Sequence, residues 1–114
     1  MINCIFCKII RSELPAKKIF EDDRLLAFYD TRPTEEIHAL VIPKIHIDSL
    51  MSLEEEHYTL ASELTLAVPK VANLLGLVQG FKTVINTGKA GGQEIFHLHY
   101  HILGRKYLAC KKLI

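Results

Sequence analysis

At 114 residues, 49% hydrophobic and 24% charged, the chain is long enough for one domain with its own core and too apolar for a disordered segment. Fourteen Lys and Arg against thirteen Asp and Glu leave a formal charge of +1, too little to hold a nucleic-acid backbone by counterion release. No apolar run approaches the roughly 20 residues that cross a bilayer, and Met1-Ile2-Asn3-Cys4 lacks the basic-then-apolar pattern of a secretory signal. The expectation is a cytoplasmic protein without nucleic-acid or membrane partners, forming a single domain over 1–114 with a basic C-terminal tail from about 105.

In chain order, Asn3 to Glu13 places Ile5, Phe6, Ile9 and Ile10 at helical spacing, with Asn3 as N-cap and Pro15 as the stop. Lys17 to Glu21 and Leu25 to Asp30 read as a hairpin around Asp22-Asp23. His38 to Pro43 is an apolar strand. A long helix follows from Ser52, whose Ser-Leu-Glu-Glu matches a capping box, and carries Leu60, Leu64, Ala67, Val71, Leu74 and Leu75 at helical spacing. Pro69 predicts a kink or two consecutive helices, and Gly76 predicts the C-cap. Phe81 to Asn86 and Phe96 to Leu103 read as strands joined by the loop Thr87 to Gln93. The fold class is α+β: a mostly antiparallel sheet with an N-terminal helix and one long helix.

Cys4 and Cys7 form a Cys-x-x-Cys pair, while Cys110 stands alone. Three cysteines in a chain of this size do not make a disulfide framework, so metal binding, redox chemistry and plain burial are the competing readings. The strongest signal is Phe96-His-Leu-His-Tyr-His-Ile102. On a strand, His97, His99 and His101 share one face at steps of about 6.5 Å, while Leu98, Tyr100 and Ile102 face the core. Such a row admits a polar face, a three-His metal centre, or imidazole nucleophile and acid–base chemistry. The last is favoured, because closely held imidazoles resist joint protonation and one stays neutral as a nucleophile. Just upstream, Gly88-Lys-Ala-Gly-Gly-Gln93 is a Gly-rich loop whose backbone N–H groups are able to close on an anion.

His97-Leu-His-Tyr-His-Ile-Leu103, together with Gly91-Gly-Gln93, His38-Ala-Leu-Val-Ile-Pro-Lys44 and Ile5-Phe-Cys-Lys-Ile-Ile10, resembles the histidine-triad (HIT) family. Within it, the likeness is to the branch of purine nucleotide-binding phosphoramidate hydrolases. The resemblance implies the HIT fold, a homodimer, and a reaction at the α-phosphate of a purine nucleotide that needs no cofactor. His99 would be the nucleophile, carrying the nucleotide covalently until water releases it. His101 would contact the phosphate and share protons, and His97 and His38 would orient the row. Ile5, Phe6 and Phe28 would wall the purine. Asp30, flanked by Tyr29 and Thr31, would accept from the ribose hydroxyls, and Asn86, Gly92, Gln93, Glu94 and Ile95 would complete the nucleotide site. Animal members carry Ser where this chain has Glu94 and bacterial relatives carry Glu, which points to the bacterial branch. The resemblance also implies structural zinc held by Cys4, Cys7, His46 and His97, as in some bacterial members. A regulatory nucleotide-binding module and a dinucleoside polyphosphate hydrolase are the alternative functions.

Overall fold

The computed structural model describes residues 3–106, so Cys110 and the tail from 107 lie outside the described residues. Five strands form one antiparallel sheet: β1 (Lys18–Glu21), β2 (Leu25–Tyr29), β3 (Ile37–Pro43), β4 (Lys82–Val84) and β5 (Tyr100–Gly104), in the order β1-β2-β3-β5-β4. Period-2 alternation sorts their side chains onto two faces. Leu26, Phe28, Leu40 and Ile42 pack with Phe6 and Ile9 of the short helix α1 (Ile5–Ile10). On the other face Leu25, Ala27, Val41, Tyr100 and Ile102 meet Leu60, Leu64, Val68 and Val71 of the long helix α2 (Tyr58–Leu74). Helix α2 therefore packs across β1, β3 and β5 on one face, whereas six-residue α1 covers only part of the other. That shortfall leaves room for a site on the α1 face.

Several element ends differ from the sequence expectation, each for a local reason. The cap of α1 is Cys4, whose sulfur accepts from the Cys7 N–H at 3.3 Å, in place of Asn3. The helix stops at Ile10, before Glu13. Ser12 adopts φ +63°, and the bonds Ser12 N–H to Ile9 O (3.0 Å) and Glu13 N–H to Lys8 O (2.8 Å) close a Schellman motif. Helix α2 ends in the same way: Gly76 follows the cap residue Leu75 at φ +77°, with Leu77 N–H to Ala72 O at 3.0 Å and Gly76 N–H to Asn73 O at 3.1 Å.

The expected capping box at Ser52 does not start α2. Leu50–Ser52 and Glu55–His57 are separate 3-10 turns, and His57 Nδ1 accepts from the Glu54 N–H at 3.0 Å. Pro69 does not divide the helix, which is continuous across it. Pro69 has no N–H to donate to the Thr65 carbonyl, and both residues lie on an exposed part of the helix, where solvent is able to satisfy that oxygen. Both C-terminal strands are shorter than expected, Lys82–Val84 and Tyr100–Gly104, so His97 and His99 precede the ladder. Arg105 Nε reaches Glu35 Oε1 at 3.2 Å and the Lys106 N–H donates to Glu36 Oε1, also at 3.2 Å. No helix among the described residues is long and apolar enough to cross a membrane.

Candidate active site

Although only His101 lies on β5, the alternation expected of residues 97–102 persists. Leu98, Tyr100 and Ile102 belong to the α2-side core, and the three imidazoles take the opposite side. Between the first two, off the ladder, the Leu98 N–H donates to Ile47 O at 2.7 Å. Strand pairing sets Leu40 opposite His101 and His38 opposite Leu103, so His38 arrives beside the row from β3.

His38, His99 and His101 line a cavity of about 710 Å³, a volume within the range of small-molecule sites. Its apolar wall includes Ile5, Phe6, Ile9, Phe28, Leu40 and Ile95. Phe6 stands edge-on to Phe28 at 5.5 Å between centroids and to His99 at 5.2 Å. Asp30, Thr31, Asn86, Gly92 and Glu94 supply polar groups. Ile9 and Leu40 had no functional signal in the sequence, since an apolar residue on a core face reads as packing.

Two of the expected nucleotide-site residues, Tyr29 and Gln93, make other contacts, and His97 takes the place behind the row that was expected of it. Tyr29 lies on the α2 side of the sheet, one residue out of phase with Phe28, with Lys17 Nζ over its ring at 5.3 Å. Gln93 is buried and fully engaged. Its Oε1 accepts from the Gly88 N–H at 2.8 Å, and its Nε2 donates to Asp48 O (2.7 Å) and Ile95 O (3.0 Å). His97 turns away from the cavity and toward the cysteines. The Gly-rich loop is also tighter than expected. The N–H groups of Gly91, Gly92 and Gln93 all bond to carbonyls within it, with Gly92 in the left-handed region at φ +81°. These amides brace the loop instead of facing an anion, and Asn86 Nδ2 adds a bond to Gly91 O at 2.9 Å.

Backbone partners determine where the protons sit on the imidazoles. His99 Nδ1 lies 2.7 Å from the His97 carbonyl, which only accepts, so Nδ1 carries the proton and Nε2 the lone pair. Burial lowers the His99 pKa, keeping that ring neutral near pH 7. His101 Nδ1 meets His38 Nε2 at 2.8 Å, and the rings of His99 and His101 are 4.9 Å apart. Burial holds His101 down to about 4, and neighbouring His99 and His38 push the same way. The pKa of His38 is lowered by burial, against the pull of Asp30, whose Oδ2 is 3.4 Å from Nε2. The other Asp30 oxygen, Oδ1, caps its own turn by accepting from the Arg32 N–H at 2.8 Å.

Behind the row, Cys4, Cys7, His46 and His97 bring their ligand atoms within 4.8 Å of one another. His97 Nε2 lies 2.8 Å from Pro43 O and His46 Nε2 2.7 Å from Asp48 Oδ1, so both rings donate there and turn bare Nδ1 atoms toward the sulfurs. The sulfur–nitrogen separations are 3.3 Å (Cys4 to His97), 3.3 Å (Cys7 to His46) and 3.7 Å (Cys7 to His97). A tetrahedral zinc with Zn–S near 2.3 Å and Zn–N near 2.0–2.1 Å requires such edges of about 3.5 Å. Donor type, tautomer and spacing all fit that ion. Burial holds His97 itself down to about 4, so the ring is unprotonated and able to ligate at neutral pH.

The pattern that defines the HIT domain matches residues 11–108. The chain is 52% identical over 104 residues to protein HitA of Neisseria gonorrhoeae, covering 91% of this chain and 97% of that one. It is 40% identical over 111 residues to the adenylylsulfatase HINT3 of Arabidopsis thaliana, covering 95% of this chain and 55% of that longer protein. Among solved structures, a HIT family hydrolase from Clostridium thermocellum superposes with a TM-score of 0.90 at 40% identity, covering 99% of each chain.

Proposed function

The chain belongs to the HIT domain family, and from that premise we propose that it is a hydrolase of purine nucleoside phosphoramidates. One observation carries the reading: His99 sits in the cavity, neutral, with its Nδ1 proton tied to a carbonyl and its Nε2 lone pair free. Nε2 attacks the α-phosphorus, the P–N bond breaks, and the amine departs with a proton drawn from solvent. The positive charge left on the ring is stabilised at Nδ1–H by the His97 carbonyl. Water then attacks the phosphorus, the bond to Nε2 breaks, and the nucleoside monophosphate leaves. The Phe6–Phe28 corner with Ile5 and Leu40 is the purine wall. Asp30 Oδ2 accepts from the ribose hydroxyls.

The similarity to an adenylylsulfatase supports a second reading, attack on the same phosphorus with sulfate as leaving group. Glu94 argues for the amine. An anionic side chain lining the cavity repels a departing sulfate and attracts an ammonium. The single structural domain, the cytoplasmic setting and the homodimer belong to this same proposal. Helix α2 exposes Leu66 and Leu74, and β4 is an edge strand, both suited to pairing with a second copy. Zinc on Cys4, Cys7, His46 and His97 completes it. When bound, the ion supplies a rigid anchor, and His97 transmits it because its ring ligates while its carbonyl holds His99.

Rapid mixing with an adenosine phosphoramidate, followed by intact-protein mass spectrometry, tests the reaction class. An acid-labile adduct of one AMP is expected in the native protein and none in His99→Ala. Turnover by His99→Ala at the native rate would overturn the assignment. Parallel assays with adenylyl sulfate separate the two leaving groups, with the phosphoramidate expected to give the higher kcat/KM.

A further inference from the structure

Two imidazoles facing each other through nitrogens do not decide between themselves which one donates. His38 Nε2 and His101 Nδ1, 2.8 Å apart, are such a pair, since either ring is able to hold the shared proton. The ambiguity has consequences. If His101 held the proton at Nδ1, its Nε2 would turn a lone pair toward the bound anion and repel it. If His38 holds it, a neutral His101 keeps its own proton on Nε2 and presents a donor.

The arbiter lies at the far side of His38. The backbone N–H of Thr34 donates to His38 Nδ1 at 3.1 Å. A backbone amide donates and never accepts, so Nδ1 must be bare and the single proton of a neutral His38 sits on Nε2. Asp30 Oδ2 favours the same placement, but at 3.4 Å from Nε2 it is the more distant of that atom's two partners. We infer that the Thr34 N–H is a proton lock on the histidine row, keeping His38 a fixed Nε2–H donor and forcing a neutral His101 to offer N–H at its own Nε2. A second consequence follows for transfer. His38 gains a second proton only by breaking the Thr34 bond, so it orders the row and is not a station on a proton relay. Thr34 is thus a positioning residue acting through its main chain, and its hydroxyl plays no part.

The charged and titratable groups around this pair are Asp30 beside His38, His99 beside His101, and Arg32 and Glu94 on the cavity wall. None of them donates to His38 Nδ1 among the described residues, so the amide is the group to remove. Replacing residue 34 by the α-hydroxy acid analogue of threonine turns its N–H into an ester oxygen and leaves the side chain in place. Thr34→Pro also deletes the N–H, and Thr34→Ala retains it.

The lock is read on histidine side-chain nitrogens by 15N NMR of the full chain at several pH values, without substrate. In the native protein and in Thr34→Ala, His38 is expected to show bare Nδ1 and protonated Nε2. In the ester variant the second proton should bind at a pH higher by about one unit, the equivalent of one hydrogen bond. A native His38 protonated at Nδ1, or an ester variant titrating as the native protein does, would overturn the inference. A kinetic arm rests on the proposed activity: kcat for the adenosine phosphoramidate should fall near pH 6 in the ester variant, by less than the roughly tenfold ceiling that a one-unit shift sets, and recover by pH 8, where His38 is neutral in both. Equal kcat at pH 6 despite a shifted His38 would refute the catalytic consequence. If no phosphoramidate were cleaved by any form, the proposed function would fail while the NMR arm still decided the lock. Should the ester variant fold poorly, Thr34→Pro provides the same comparison.

Discussion

Replacing Gln93 by Met removes three hydrogen bonds while nearly conserving side-chain volume, which makes it the sharpest test of the brace behind Glu94 and Ile95. The Gly88 N–H that Oε1 accepts belongs to a buried residue, so leaving it unpaired costs about 2 kcal/mol. Ile95 O is half-buried and Asp48 O belongs to an exposed residue, so water reaches them in part and each adds about 0.5–1 kcal/mol. A thioether in the same space returns little, because the pocket is lined by polar backbone. The expected loss is about 3 kcal/mol in urea unfolding monitored by circular dichroism, with an unchanged m-value. Gln93→Glu should be at least as damaging, since a carboxylate facing two carbonyls replaces a double donor. The same variants should raise KM, because the brace positions the cavity residues that follow it. A loss below 1 kcal/mol for Gln93→Met would refute the view that Gln93 is a structural latch and return it to the ligand.

Removing the metal should cost stability as well as rate: chelation of a zinc-loaded preparation is expected to lower Tm by roughly 10 °C, and Cys7→Ser to abolish stoichiometric zinc in elemental analysis. Native protein that holds no zinc after reconstitution would end the metal assignment. In the metal-free protein His97 and His101 are held down to about 4 from an ordinary value near 6.5, so between those values the unfolded chain binds more protons. Stability should therefore be flat above about pH 6.5 and fall as pH drops toward 4, with fully buried His97 accounting for about 3 kcal/mol. A flat profile across that window would contradict the buried neutral rings. At the two helix ends, Gly76→Ala should destabilise by roughly 1 kcal/mol although a Cβ there meets nothing closer than 3.8 Å, because φ is +77°. Ser12→Gly, at φ +63°, should stabilise by roughly 0.5–1 kcal/mol in thermal unfolding.

Periodicity alone located most of the architecture. Alternation placed Leu98, Tyr100 and Ile102 in the core and the imidazoles opposite them, and it survives even where residues 97–99 leave the ladder, because burial of the apolar set enforces it. The spacing of Leu60, Leu64 and Val71 likewise identified the buried face of α2. Local cap chemistry was a poorer guide. Ser52 followed by Glu55 has the form of a capping box, yet the chain forms two 3-10 turns first, since tertiary packing chooses where the helix begins. Tyr29 was misplaced for the simplest reason: adjacent to Phe28 and Asp30 in sequence, it necessarily points to the other side of the sheet.

What the sequence determined by itself was the chemical inventory: a row of alternating imidazoles, a thiol pair, a carboxylate and an aromatic corner, each carried by residue type and local period. What only the tertiary structure decided was polarity. Whether His99 offers a lone pair, and whether His46 and His97 turn bare nitrogens toward sulfur, depends on the carbonyls of His97 and Pro43 and on the Asp48 carboxylate. The Thr34 amide does the same for His38. Three of these four partners are main-chain groups: two carbonyls, which every residue type supplies, and one N–H, which every type but proline supplies. Their identity therefore leaves no mark in the sequence, and only folding brings a particular donor or acceptor to a particular ring nitrogen.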